Sequence, residues 1–321
     1  MLARVAESLF WMARYCERAE DLARLLNVNA HLMLDLPKGV APGWRALIDI
    51  SGADEMYCKK FTDYDEKSVV KFLIADPESF SSIVFSINSA RENARTIRDV
   101  IPREAWEHIN AFSMWVKEKA EKSLPRRQRF DFLNEVILRC QTLNGILAGS
   151  MNHDQGYLFF RLGRNLERAD MTTRIIDVRS AGLGSASEHE RYDHFDNLQW
   201  MSVLKSLTAY QMYRQSTNVS VRRAEVLKFL FLSEVFPRAV THCLGDLEDG
   251  IQSLPRNAVA LAALARARQL VKTDTTAMSQ MDLHQFIDQV QIGLNGVCQA
   301  LSDSYFWSGI AQRHGVLRSV A

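Results

Sequence analysis

The chain has 321 residues, 47% apolar and 24% charged, enough to bury a large core without disulfide or metal staples. Its 39 Lys and Arg balance 38 Asp and Glu, so no summed field points to nucleic acid or an anionic membrane as a partner. Five scattered cysteines, Cys16, Cys58, Cys140, Cys243 and Cys298, offer no C-x-x-C pair, which is the usage of a reducing cytoplasm.

Apolar residues recur at three-to-four spacing nearly throughout, while alternating β-branched runs are scarce, so the expected class is all-α. Taken in order, helices are predicted over 2–36, 43–60, 66–75, 78–100, 102–122, 129–150, 155–181, 197–217, 220–234, 235–253, 256–272 and 276–308. That is a helical bundle of about ten to twelve helices. The first helix carries Glu7, Arg14, Glu17 and Arg18, which excludes a secretory leader there, and no segment offers about 18 uncharged apolar residues to cross a membrane. Pro37-Lys38-Gly39 marks its end. The basic run Arg126-Arg127-Gln128-Arg129 after Pro125 reads as a solvated loop, and 182–197 as a polar one.

Self-comparison reveals a duplication. Phe10, Arg14, Glu17, Arg18, Ala19 and Arg24 recur as Phe160, Arg164, Glu167, Arg168, Ala169 and Arg174, all displaced by 150. Trp44, Ala53, Met56 and Tyr57 match Trp200, Ala209, Met212 and Tyr213 at 156, and Lys71-Phe72-Leu73 matches Lys228-Phe229-Leu230 at 157, with Ile83 and Ile87 opposite Val240 and Leu244. The expected organisation is one domain, 1–321, made of pseudo-symmetric repeats of about 1–150 and 151–321.

On the first helix Phe10, Arg14, Glu17, Asp21 and Arg24 share a narrow arc, opposite a core arc with Leu9, Met12, Cys16, Ala19, Ala23 and Leu26. One reading of this charged stripe is a solvated face with intrahelical pairs, Arg14 with Glu17 and Glu20 with Arg24. The other is that the two copies pack against each other and their stripes merge into a desolvated Arg/Glu cluster, serving as a structural network or as a site for a carboxylate or phosphate. Arg91, Glu92 and Arg95, with Arg98 nearby, are read either as further cations for that centre or as an exposed ion-paired face. The candidate anion-, substrate- or partner-binding residues are Arg14, Glu17, Arg18, Arg24, Arg91, Glu92, Arg95, Arg164, Glu167, Arg168 and Arg174.

No phosphate loop, dinucleotide fingerprint, nucleophile elbow or H-E-x-x-H is present, and no Glu-x-x-His pairs suggest a carboxylate-bridged metal. No catalytic residue, cofactor or metal ligand is therefore assigned. The strings Leu9-Phe10-Trp11-Met12-Ala13-Arg14-Tyr15 with Glu17-Arg18-Ala19-Glu20, Ala90-Arg91-Glu92-Asn93-Ala94-Arg95, Leu162-Gly163-Arg164-Asn165-Leu166-Glu167-Arg168-Ala169-Asp170 and Phe236-Pro237-Arg238 resemble the alpha-E domain proteins, helical bacterial proteins with a recurrent Glu-Arg motif. The chain departs from that pattern at Ser79-Phe80, where relatives usually carry Asn-Pro. The resemblance implies a partner more than an activity: a circularly permuted ATP-grasp protein, and in some cases a transglutaminase-like protein. A non-catalytic accessory subunit of a peptide or amide ligase, presenting an anionic substrate through the Arg/Glu cluster, is the function it implies. An anion- or peptide-binding module without such a ligase, or a purely structural scaffold, are the alternatives.

Overall fold

The computed structural model describes residues 1–35, 43–181, 192–217, 220–273, 275 and 278–306. Among these are fourteen α-helices and no strand: α1 Ala3–Asp35, α2 Arg45–Ser51, α3 Asp54–Cys58, α4 Glu66–Ala75, α5 Ile83–Thr96, α6 Arg103–Lys119, α7 Arg126–Ser150, α8 Gln155–Ala181, α9 Tyr192–Ser206, α10 Tyr210–Ser216, α11 Arg223–Leu232, α12 Val240–Gln252, α13 Ala258–Val271 and α14 Gln280–Tyr305. The class is all-α. None of these helices is long and apolar enough to cross a membrane.

The two helices beyond the twelve predicted arise at two kinks. The segment 43–60 breaks at Gly52, whose left-handed φ of 66° closes α2 through its N–H to the Asp49 carbonyl at 3.1 Å. The segment 197–217 breaks at Thr208, also left-handed at φ 53°, with the Ala209 N–H returning 2.7 Å to the Leu204 carbonyl. A glycine signals such a stop and a threonine does not, so only the first break is visible in residue type. Two loop assignments need correction. Arg126 to Arg129 is the first turn of α7, where Arg129 reaches Glu66 at 2.8 Å and the Leu124 carbonyl at 2.6 Å. Residues from Tyr192 onward belong to α9; Pro37 to Gly39 and 182–191 lie outside the described residues.

α5 begins later than the periodicity from 78 suggested because Ser82 caps it: its hydroxyl accepts the Phe85 N–H at 3.0 Å. The Ser79-Phe80 departure does not disturb this turn. Ser82 N–H bonds the Ser79 carbonyl at 2.9 Å, as Ala239 N–H bonds the Phe236 carbonyl at 2.9 Å ahead of α12.

The order α1 to α7 recurs in α8 to α14, with α4 and α5 matching α11 and α12 at a displacement of 157. Small contacts repeat too: the Tyr57 ring meets Phe72 edge-on at 86° and the Tyr213 ring meets Phe229 at 85°. α1 and α8 run side by side in the same direction at the centre, since Phe10 meets Gly163, Arg14 meets Glu167 and Asn29 meets Arg179. α5 and α7 flank α1, and α12 and α14 flank α8. Enclosed this way, α1 has no exposed residue between Ala6 and Leu26, which explains why Phe10, Glu17 and Asp21 are as buried as Leu9 and Met12.

Candidate functional site

The α1/α8 seam begins at a close approach. A Cβ on Gly163 would lie 2.2 Å from the Phe10 carbonyl oxygen, so only glycine permits this separation. One turn further on, the charged stripes meet. Glu167 accepts Arg14 Nε at 2.6 Å, Arg18 Nε at 2.6 Å and Arg18 Nη2 at 3.1 Å. Reciprocally, Glu17 accepts Arg168 Nε at 2.8 Å. The two Glu-Arg dipeptides, Glu17-Arg18 and Glu167-Arg168, thus latch onto each other across the seam. The solvated-face reading is overturned: Arg14 pairs with Glu167 of the other helix rather than with Glu17, and only Glu20–Arg24 and Asp170–Arg174 are intrahelical.

Burial raises the cost of each charge, and the geometry answers it. Burial pushes the Glu167 carboxyl upward, yet Arg14 and Arg18 outweigh it and hold the group at about 2. Glu17 is likewise lowered, burial being overcome by Arg168 and Arg238. Asp21 goes the other way: burial, reinforced by Glu17 and Glu20, exceeds the help of Arg238 and lifts it to about 7. At the far end of the seam Arg179 is buried, its one hydrogen-bond partner among the described residues being Asn29 at 2.8 Å, and burial lowers it to about 10.

The latch has two sides with different charge balance. On one, Arg14 and Arg18 are spent on Glu167 and Arg174 on Asp170, and with Glu7 these make three guanidiniums and three carboxylates around a cavity of about 370 Å³. On the other, Arg238 bridges three carboxylates: Glu17 at 2.7 Å, Glu20 at 3.1 Å and Asp21 in a short contact. That leaves Arg164 without an ion-paired carboxylate among the described residues. Its Nε is buried and without a hydrogen bond, its guanidinium sits 6.0 Å from the Phe160 ring centre, and burial with repulsion from Arg168 lowers its pKa. Four guanidiniums, Arg24, Arg164, Arg168 and Arg238, line an opening of about 270 Å³ here and share three carboxylates, Glu20 at the opening and the buried Glu17 and Asp21. This excess cation is the feature that fits an oxyanion.

Of the sequence candidates, the structure brings together Arg14, Glu17, Arg18, Arg24, Arg164, Glu167, Arg168 and Arg174. It does not bring in Arg91, Glu92 and Arg95. Arg91 donates to Asn110 of α6 at 2.8 Å and lies over Trp106, while Arg95 pairs with Glu92 at 2.9 Å on the exposed side of α5. Helical phase put these arginines on one face but did not say which way it points. Arg238 and Asp21 are the central residues not among the candidates. Arg238 has Ser81 at the matching position, so no repeated charge drew attention to it.

Elsewhere, His31, His108, His153 and His242 bond backbone carbonyls, and burial lifts the Cys243 thiol to about 12, which makes these unlike nucleophile–base pairs. Asp177, His284 and Asp288 gather their ligand atoms within 4.8 Å at the surface, a trio invisible in sequence because 107 residues separate Asp177 from His284. The contacts seen there are His284 to Asp177 at 2.7 Å and to Asp288 at 3.7 Å.

The Alpha-E family, described as a predicted alpha-helical domain with a conserved ER motif, matches residues 1–306. The chain belongs to the Alpha-E family. In this Alpha-E chain the two Glu-Arg dipeptides of the reciprocal latch, Glu17-Arg18 and Glu167-Arg168, lie one on each central helix. The chain is 25% identical over 271 residues to an uncharacterized protein of Mycobacterium bovis, and 24% identical to one of Mycobacterium tuberculosis. In both, the match covers 78% of this Alpha-E chain but only 30% of the relative, so the chain spans about a third of the relatives' length. No solved structure matches it.

Proposed function

We propose that this chain is a non-catalytic accessory module of an ATP-grasp-type peptide or amide ligase, and that it receives an anionic group of the ligase's substrate beside Arg164. The unmatched guanidinium of Arg164 carries the reading. A carboxylate or phosphate placed there would pair a cation already dehydrated by the fold, which favours binding over an exposed arginine. The resemblance to proteins that accompany ATP-grasp enzymes supplies the partner class. In the mycobacterial relatives the matched segment is 30% of a longer chain, which accords with a module that works beside other parts.

Arg14, Arg18 and Glu167 favour a second role. Their buried contacts are already mutual, so these residues serve as the scaffold that holds α1 to α8. Substitution there lowers stability, which confounds any effect on ligand. The informative variant is Arg164→Glu, which breaks no ion pair. With tagged chain purified from its own cells, an ATP-grasp protein co-purifies with the parent, and N-acetylglycine, a carboxylate probe, binds the parent and not the variant, while both melt alike. If nothing co-purifies and added chain leaves the ATP turnover of the genome's ATP-grasp proteins unchanged, the accessory reading is wrong.

A further inference from the structure

The two sides of the latch are built from matching positions, and their differences are paired. Arg14, Arg18 and Arg174 on the first side correspond to Arg164, Arg168 and Arg24 on the second, and Glu167 and Asp170 to Glu17 and Glu20. Two positions do not follow. Arg238, two residues before the start of α12, corresponds to Ser81, two residues before the start of α5. Asp21, the carboxylate that Arg238 grips, corresponds to Met171. Arginine and its carboxylate are present together on one side and absent together on the other.

On the second side the Arg238 side chain is almost fully buried and lies across Glu17, Glu20 and Asp21. On the first side, Ser81 ends at a hydroxyl that bonds the Ser51 carbonyl at 3.0 Å, and the space beyond it belongs to the cavity of about 370 Å³. Ser81, Asp170 and Met171 all line that cavity. Asp170 is one methylene shorter than the Glu20 it replaces; its Oδ2 takes Arg174 at 3.1 Å, while its Oδ1 is buried with no hydrogen-bond partner. Trp11, Phe80 and Phe306 supply apolar wall. A volume in this range suits a small ligand or a single large side chain.

We propose that this cavity is a binding site for a cationic head, guanidinium or ammonium, on a short apolar stem, which takes in the first half the place the Arg238 side chain takes in the second. The head donates to the orphaned Asp170 oxygen, and the stem lies against the aromatic wall. The second half shows that such a head is accommodated among three arginines when three carboxylates interleave them: Arg238 sits beside Arg24, Arg164 and Arg168 with Glu17, Glu20 and Asp21, and the cavity of the first half is lined by Glu7, Glu167 and Asp170. An anionic head finds a poorer seat, because Arg14, Arg18 and Arg174 are already committed to Glu167 and Asp170. The same chemistry is offered by a free alkylguanidine and by an arginine side chain on a peptide.

The test is calorimetric titration of the full chain with butylguanidinium, with pentanoate as an anionic counterpart of similar length, and with a short peptide amide ending in arginine. Saturable binding of butylguanidinium to the parent is expected, and no binding of pentanoate to an Arg164→Gln chain, in which the proposed anion seat on the other side is removed; the peptide arm tells whether the site also accepts the head on a backbone. Asp170→Asn should weaken binding by tenfold or more. Because that change touches the buried network, the paired variant Ser81→Arg with Met171→Asp provides a second arm. It rebuilds the second half's arrangement, fills the cavity from within, and should abolish binding while melting no lower than the parent. Arg164→Gln should leave butylguanidinium affinity unchanged, which separates this site from the proposed anion seat on the other side. Preference for pentanoate in the Arg164→Gln chain, no binding of butylguanidinium, or undiminished binding to the folded paired variant would each overturn the proposal.

Discussion

Replacing Glu167 with Gln removes one negative charge from a position where two guanidiniums converge at 2.6 Å each, and leaves the side chain's shape unchanged. Arg14 and Arg18 then remain largely buried without a counter-charge. Breaking one member of a buried ion pair in this way costs about 3–5 kcal/mol, because the stranded charge keeps its desolvation penalty. The direction of the Glu167 titration agrees: Arg14 and Arg18 hold its carboxyl below the ordinary range despite burial, so they stabilise the ionised folded state. For a domain of this size that cost predicts a fall in melting temperature on the order of 10 °C. Thermal melts followed by helical circular dichroism, with urea midpoints alongside, measure it. Replacing the whole group by apolar residues, Arg14→Met, Arg18→Met and Glu167→Leu together, should recover much of the loss, since no charge is then stranded. A Glu167→Gln protein within 0.5 kcal/mol of the parent would refute the claim that the latch joins α1 to α8.

Gly163→Ala should destabilise by about 3 kcal/mol or shift the seam, since the new methyl meets the Phe10 backbone rather than a flexible side chain; denaturant midpoints decide it, and a neutral result means that the helices separate freely. Glu92→Gln, by contrast, should change stability by less than about 0.5 kcal/mol, because its pairs with Arg91 and Arg95 are largely exposed. The pH dependence should have two limbs. Glu167 is depressed when folded, so its contribution is present above about 4.5 and is lost as pH falls toward about 2. Asp21 is raised when folded, so its proton favours folding; that contribution is present below about 3.8 and is lost as pH rises through about 7. Urea midpoints across pH 2 to 8 should therefore peak between these limbs, and Asp21→Asn should flatten the upper one while sparing the lower.

Helical class and most helix positions were legible in the chain, because a 3.6-residue apolar period and caps such as Ser82 act over a few residues and need no partner. The matching of Arg14, Glu17, Arg18 and Arg24 with Arg164, Glu167, Arg168 and Arg174 was legible as well, since similarity at one displacement is a property of the string alone. Which side of the balance those charges fall on was not. An arginine on a helix face reads the same whether the face meets water, as with Arg95, or another helix, as with Arg18. Ion-pair partners 149 to 218 residues apart are set by how α1, α8 and the α12 approach are packed, not by local pattern. The unpaired state of Arg164 depends on Arg238 arriving from a third element to claim Glu17, a competition that exists only once the three are brought together. The same holds for the cavity beside Ser81: a missing side chain becomes a space only when neighbours enclose it, and enclosure is decided by tertiary packing.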